Sequence, residues 1–290
     1  MKHILILILS FYCFSAQVWA DAKAPDRQQG EGPYKRLILR GGIIVTGEGA
    51  PARGPMDIVI ENDRIVQVVN VGNPGVPINP NSRPKANKGD KEIDISGQYV
   101  LPGFIDMHAH IGGSAKNIPA EYVFKLWLAH GITTVREPGS FNGVEWVMDH
   151  VNRSDKNTIA APRIIPYVAF GMGEKTPITT PEQAKKWVKK IADKGAKGIK
   201  FFGAPPEIMS AALTEAKKQG LRGMMHHAQL DVVNMNVIDS ARLGLVSMEH
   251  WYGLPEALFE QQTIQNYSPD YNYNNEQDRF GEAGRLWQQA

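Results

Sequence analysis

From Leu101 onward the chain repeats one unit. A short apolar run of strand character is followed by a stretch with helical period, and the pair recurs about six times. Strand-like runs lie at Gly103–His108, Ile132–Arg136, Arg163–Phe170, Gly198–Phe202, Gly223–His227 and Leu245–His250. Between them, the segment 181–192 opens on Pro181 and sets Ala184, Trp187, Val188 and Ile191 on one face of a helix. A second helical period, Ser210–Gln219, closes at Gly220. Such alternation with short connections predicts an α/β fold on a parallel sheet, either a (β/α)8 TIM-type barrel or a doubly wound sheet. No Gly-x-Gly-x-x-Gly follows a strand, so the barrel is favoured. Eight strands close such a barrel and six are legible. The expectation is therefore an incomplete barrel over residues 101–290, truncated on the C-terminal side, with a last helix over Arg279–Ala290.

The first hundred residues have a different texture. Met1-Lys2-His3 is a short basic start, Ile4 to Ala16 is almost wholly apolar, and Val18-Trp19-Ala20 offers small residues at a cleavage site. That pattern reads as a signal peptide over 1–20, cut near Ala20, and it predicts a periplasmic or secreted protein with no integral membrane segment after cleavage. The sole cysteine, Cys13, falls inside this leader without a lipidation box. The mature chain therefore has no disulfide framework, and any metal must be held by histidine, carboxylate or a less usual ligand. Residues 21–35 are polar and read as a flexible lead-in. Residues 36–100 read as strands, with a hairpin between Ile58-Val59-Ile60 and Ile65-Val66-Gln67-Val68 and an exposed loop over 73–91. A net charge of +2 on 290 residues argues against a nucleic-acid partner, and an oligomer is compatible with the composition.

Chemistry concentrates at the ends of the strand-like runs, where barrel active sites form. The run Leu101-Pro-Gly-Phe-Ile-Asp-Met-His-Ala-His110 carries Asp106, His108 and His110 two residues apart. If the strand continues, all three point the same way, two imidazoles toward a transition metal and Asp106 behind them in support. His226, His227 and His250 stand at two further strand ends, and strand alternation lets only one of the adjacent pair face inward. His130 and His150 lie in helical stretches and read as surface or packing residues. Lys200 lies in a strand expected to be buried on both faces, where an ammonium is costly. Either it snorkels to the barrel rim, or it is a neutral amine that has taken up CO₂ as a carbamate able to bridge two metal ions. Lys197, before the strand, reads as solvated.

These segments together resemble the amidohydrolase superfamily, in its binuclear, carbamylated-lysine branch that includes Xaa-Pro dipeptidase-like and imidazolonepropionase-like hydrolases. The run Leu101 to His110 resembles the first-strand metal motif, and Gly131-Ile-Thr-Thr-Val-Arg136 the second strand. Lys200, His227-Ala228 and Glu249-His250 fall where the fourth, fifth and sixth strands carry ligands, and the segments 40–49 and 57–65 resemble a small β-sandwich before the barrel. The resemblance implies two divalent cations, with zinc the expected ion. His108 and His110 would hold the inner one, His227 and His250 the outer, and carbamylated Lys200 would bridge them. It favours His227 over His226 because the family's ligand is usually followed by alanine. It implies hydrolysis of a C–N bond in a small amide, dipeptide-like or cyclic amide substrate by an activated hydroxide. Two departures stand against it. The eighth-strand aspartate cannot be assigned to any residue here, and Gly171-Met-Gly-Glu-Lys175 lacks the Gly-Gly-His of close relatives. The alternatives are an inactive truncated chain that at most binds metal, or the same metal pair acting on a lactone or phosphoester.

Overall fold

The computed structural model describes residues 23–28, 31–228, 232, 234–259 and 267–288. The leader expected over 1–20 lies outside them.

Two sheets organise these residues. The first is built from β1 (Arg36–Ile44), β2 (Arg53–Glu61), β3 (Arg64–Asn70), β4 (Lys91–Asp94) and β5 (Tyr99–Val100). Its order is β3-β2-β1-β4, with β5 pairing the far end of β1. The hairpin expected at 58–68 is β2–β3, with Glu61 paired to Arg64 across a two-residue turn at whose first position Asn62 takes φ 53°. Asparagine tolerates that left-handed backbone better than other side chains do.

The connection 73–91 is pinned more firmly than an exposed loop requires. Arg83 donates two hydrogen bonds to the fully buried carboxylate of Asp57, at 2.9 and 2.7 Å. Arg40 and the Gly41 N–H donate to the same group at 2.8 and 2.9 Å. Burial alone would raise the Asp57 pKa, but the hydrogen bonds from Arg83, Arg40 and Gly41 outweigh it and hold the carboxyl below its usual range.

The second sheet carries the chemistry. It contains β6 (Phe104–Asp106), β7 (Ile132–Ser140), β8 (Arg163–Ala169), β9 (Gly198–Phe201), β10 (Arg222–His226) and β11 (Ser247–Glu249), all parallel and in sequential order. It curls into a half-barrel of six strands, the incomplete barrel anticipated from the sequence. The helices are α1 (Ala120–Ala129), α2 (Val144–Asp155), α3 (Pro181–Asp193), α4 (Pro206–Lys218), α5 (Val237–Arg242), α6 (Leu254–Ala257) and α7 (Glu276–Trp287). Helix α3 starts on a capping box, in which Thr180 accepts from the Gln183 N–H and Gln183 reaches back to the Thr180 N–H. Its buried face, Ala184, Trp187, Val188 and Ile191, is the one the periodicity predicts. Trp187 packs edge-on to Phe170, which lies against Phe201 of β9.

The first strand of this sheet is shorter than its apolar run. It ends at Asp106, and residues 107–110 are a turn and irregular backbone. Part of the lead-in, residues 23–28, is anchored to the barrel side. Ala24 is buried, its N–H lies 3.4 Å from Nε2 of the buried His150, and Arg27 N–H donates to Thr158 O at 2.5 Å. Residues 23–28 thus strap the C-terminal half of α2. No helix among the described residues is long and apolar enough to cross a membrane.

Replacing Asp57 with alanine leaves Arg83 without its carboxylate and Arg40 with only Glu92, and the expected loss of stability is about 3 kcal/mol at neutral pH. Because the folded-state pKa is depressed, the stabilisation is full above the unfolded value and fades as pH falls below about 4. Urea unfolding of wild type and variant across pH should therefore show the gap narrowing in acid.

Candidate metal centre

The half-barrel's concave face holds a set of charged groups that an apolar core would exclude. Lys200, on β9, is only 2% exposed. Its strand neighbours Ile199 and Phe201 are buried in the helix-side core, so alternation turns the lysine to the opposite face. Backbone room for it comes from Gly139 on β7, where a Cβ would lie 2.6 Å from the Lys200 Cβ. Burial lowers the Lys200 pKa to about 8 against the pull of the Glu249 carboxylate. The snorkelling alternative is thereby excluded, while Lys197 is exposed as expected.

Four imidazoles cluster at the strand ends near Lys200. His108 and His250 have ring centroids 4.5 Å apart, and His250 and His226 4.9 Å. His110 stands edge-on to His108 at 5.6 Å. His250 leaves β11 through a left-handed turn, with φ 63° at His250 and 56° at Trp251. Two consecutive non-glycine residues in that region carry a conformational cost of roughly 1–2 kcal/mol each. The turn presents the His250 ring to His108 and His226. Burial, with help from the charges of His250 and Lys200, lowers the His226 pKa to about 3. Burial, then His108 and Lys200, lowers His250 to about 4. Both rings are therefore neutral at physiological pH, the state in which imidazole ligates metal.

Of the adjacent pair, His226 faces this group, where the resemblance favours His227. In register, Met224 pairs with Lys200 and His226 with Glu249, so the even-numbered residues of β10 share the concave face. His227 is fully buried on the other side, where its Nε2 donates to Ser240 Oγ at 2.8 Å, the Ser240 hydroxyl being itself committed to Val237 O. Asp106 also has a narrower role than expected. Its Oδ1 accepts the His108 backbone N–H at 2.8 Å, fixing the turn that delivers the histidine. His130 is exposed and His150 packs in the core.

Three charged partners were not singled out from the sequence. Glu249 Oε2 accepts a hydrogen bond from His108 Nδ1 at 2.5 Å, while its Oε1 accepts from Arg136 at 2.7 Å and from Ser247 at 2.9 Å. Glu137 Oε1 lies 3.0 Å from His110 Nδ1, and its Oε2 accepts the Ile111 N–H at 2.8 Å. A carboxylate can only accept, so both imidazoles carry their proton on Nδ1 and keep the Nε2 lone pair. This is how carboxylates orient histidines for metal. Arg136, Glu137 and Glu249 are charged residues in strands buried on both faces, the signal that made Lys200 conspicuous. Among the described residues no three His, Cys, Asp or Glu side chains form a ready-made metal cage.

A half-barrel bearing clustered histidines and a buried lysine at its strand ends defines a class of hydrolase scaffold. Residues 99–263 match the amidohydrolase family, and the chain belongs to it. Among curated relatives, an adenine deaminase of Bacillus velezensis is 29% identical over 174 residues, covering 56% of this chain and 29% of that protein. A dihydroorotase of Geobacter metallireducens is 25% identical over 224 residues, covering 73% and 47%. The chain thus spans less than half the length of these relatives. Among solved structures, a Xaa-Pro dipeptidase with bound methionine superimposes with a TM-score of 0.56 at 20% identity, covering 74% of this chain and 61% of that one. A putative prolidase from Bifidobacterium longum gives 0.54 at 24% identity, covering 74% and 54%. At these identities the structural likeness speaks to the fold.

Glu249→Ala leaves Arg136 buried without its carboxylate and His108 without its orienting partner. The expected cost is about 3–5 kcal/mol, visible as a lower urea midpoint, with Glu249→Gln losing less.

Proposed function

We propose that this chain carries the metal centre of a hydrolase that cleaves a C–N bond in a small amide, peptide-like or cyclic amide substrate. The observation that carries the reading is the convergence of His108, His226 and His250 beside a buried lysine with a lowered pKa. Family membership and relatives named adenine deaminase and dihydroorotase support the C–N bond as target.

The donor set fits a divalent metal pair. His108 and His110, each with Nδ1 fixed by a carboxylate, would offer Nε2 to one ion, and His226 and His250, held neutral by burial, would offer theirs to the other. Zinc suits such an imidazole-rich set. Bound there, two cations would supply Lewis acidity and an activated water. Lys200 supplies the anionic bridge in this reading. A buried amine with its pKa near 8 is partly neutral at physiological pH, and its free lone pair attacks CO₂. An N–C bond forms, one proton leaves for solvent, and the resulting carbamate carries one negative charge to a face where His226 and His250 are held neutral by burial. Glu137, Glu249 and Arg136 keep the rings in place, and Phe202, with its ring 5.6 Å from His226, shields one side from water.

The apolar leader ending at Val18-Trp19-Ala20 supports export to the periplasm or beyond. N-terminal sequencing of the exported protein should then begin at Asp21.

Metal analysis of the purified protein should give about two ions per chain. His108→Ala or His226→Ala should lower that toward about one, while His227→Ala leaves it unchanged. Intact-mass measurement under native conditions should show the added mass of CO₂, lost in Lys200→Ala. Unaltered metal content in both His108→Ala and His226→Ala would overturn the assignment. A panel of dipeptides, N-acyl amino acids and cyclic amides then tests the bond cleaved.

A further inference from the structure

The segment after β11 returns to the metal centre with an aromatic residue that nothing above uses. Tyr273 OH lies 3.2 Å from His226 Nε2, the hydroxyl's sole hydrogen bond among the described residues. The contact is built rather than incidental. Arg279 donates to the Tyr273 carbonyl at 2.6 Å and sets its guanidinium 5.3 Å over the ring. On either side, the Asn272 N–H and the Asn275 side-chain amide both donate to Asp278 in the first turn of α7, at 3.1 and 2.9 Å. Asn275 also caps that helix. The other end of the segment is held by Tyr267, whose hydroxyl donates to the buried Glu256 at 2.8 Å. Tyr252 of the preceding turn completes the wall, 5.1 Å from His226 and 5.6 Å from Phe280 of α7.

We propose that Tyr273 is a substrate-binding residue of the centre, donating its hydroxyl to the acyl oxygen of an uncharged amide whose apolar substituent lies against the exposed ring of Phe202. The inference rests on the proposed metal reading. In whichever direction the phenol–imidazole hydrogen bond runs, it engages the nitrogen that His226 would give to a metal, so ligation and the Tyr273 contact exclude one another. Once His226 is committed to metal, the half-buried hydroxyl loses its protein partner and keeps at most a water. Held beside the strand ends, it then has a donor to offer the oxygen of a bound substrate in place of that water. The aromatic surroundings favour a flat or apolar group over an ionic one.

The test compares wild type, Tyr273→Phe and the control Tyr271→Phe, whose ring stacks on Tyr267 at 4.8 Å. Zinc affinity is measured by chelator competition, and binding of N-acetylphenylalaninamide to the zinc-loaded proteins by calorimetry. Tyr273→Phe should bind zinc about fivefold more tightly, because one competing hydrogen bond is gone, and the amide about tenfold more weakly. Tyr271→Phe should match wild type in both, and circular dichroism should be the same for all three. If wild type takes up zinc but Tyr273→Phe changes neither affinity, the assignment of Tyr273 is overturned and the metal reading stands. If wild type takes up no zinc, both fall together.

Discussion

The half-barrel depends on one buried ion pair. Arg136 and Glu249 sit on the second and sixth strands of a sheet whose order runs β11-β10-β9-β8-β7-β6, with three strands between them. In a flat sheet, four inter-strand steps would separate them by about 19 Å. That exceeds the combined reach of an arginine and a glutamate, yet the guanidinium and carboxylate meet at 2.7 Å. The contact exists only because the sheet curls, and everything on the concave face inherits its position from that curl. Glu249 passes the constraint on through its other oxygen to His108, and Arg136 passes it on by donating to Met107 O at 2.6 Å. The turn carrying His108 and His110 is thereby tied to the far edge of the sheet.

The same face shows how charge is tolerated in a place built for hydrophobic packing. Lys200, Arg136, Glu137 and Glu249 are all buried, and each carboxylate is saturated by donors. His226 and His250 stay neutral because burial, with Lys200 nearby, makes a further cation there too costly. The result is a set of oriented nitrogen lone pairs in a region of reduced dielectric, the electrostatic condition under which a divalent ion gains most from its ligands.

The strand–helix alternation was legible because each β-strand is an apolar run and each helix carries its core stripe in the primary sequence, as Ala184, Trp187, Val188 and Ile191 show. The hairpin at Glu61–Arg64 was equally plain from its turn residues. What could not be read was phase and termination. Whether His226 or His227 faces inward turns on a one-residue register that no periodicity fixes, because the strand is buried on both faces and has no polar side to mark. Alanine after the second histidine favours His227 by resemblance, whereas the pairing of Met224 with Lys200 sets His226 on the concave face. Likewise the apolar character of 101–108 suggested a strand through His108, but the Asp106 carboxylate captures the His108 N–H and ends it. Tyr273 was invisible because its place depends on a return of the chain 47 residues beyond His226.

The two adjacent histidines show what that single register decides. They differ by one step along β10, yet His226 meets Phe202, Tyr252 and His250 while His227 is locked to Ser240 of α5 beneath Gly253. Gly253 has φ 80° and no room for a Cβ, which would lie 2.9 Å from the His227 Cβ. The turn after His250 therefore closes directly over His227. The same turn carries the left-handed residues that swing His250 inward. One histidine is thus spent on fixing the turn that positions another, and the strain at His250 and Trp251 is held in place from beneath by a side chain the sequence motif had assigned to the metal.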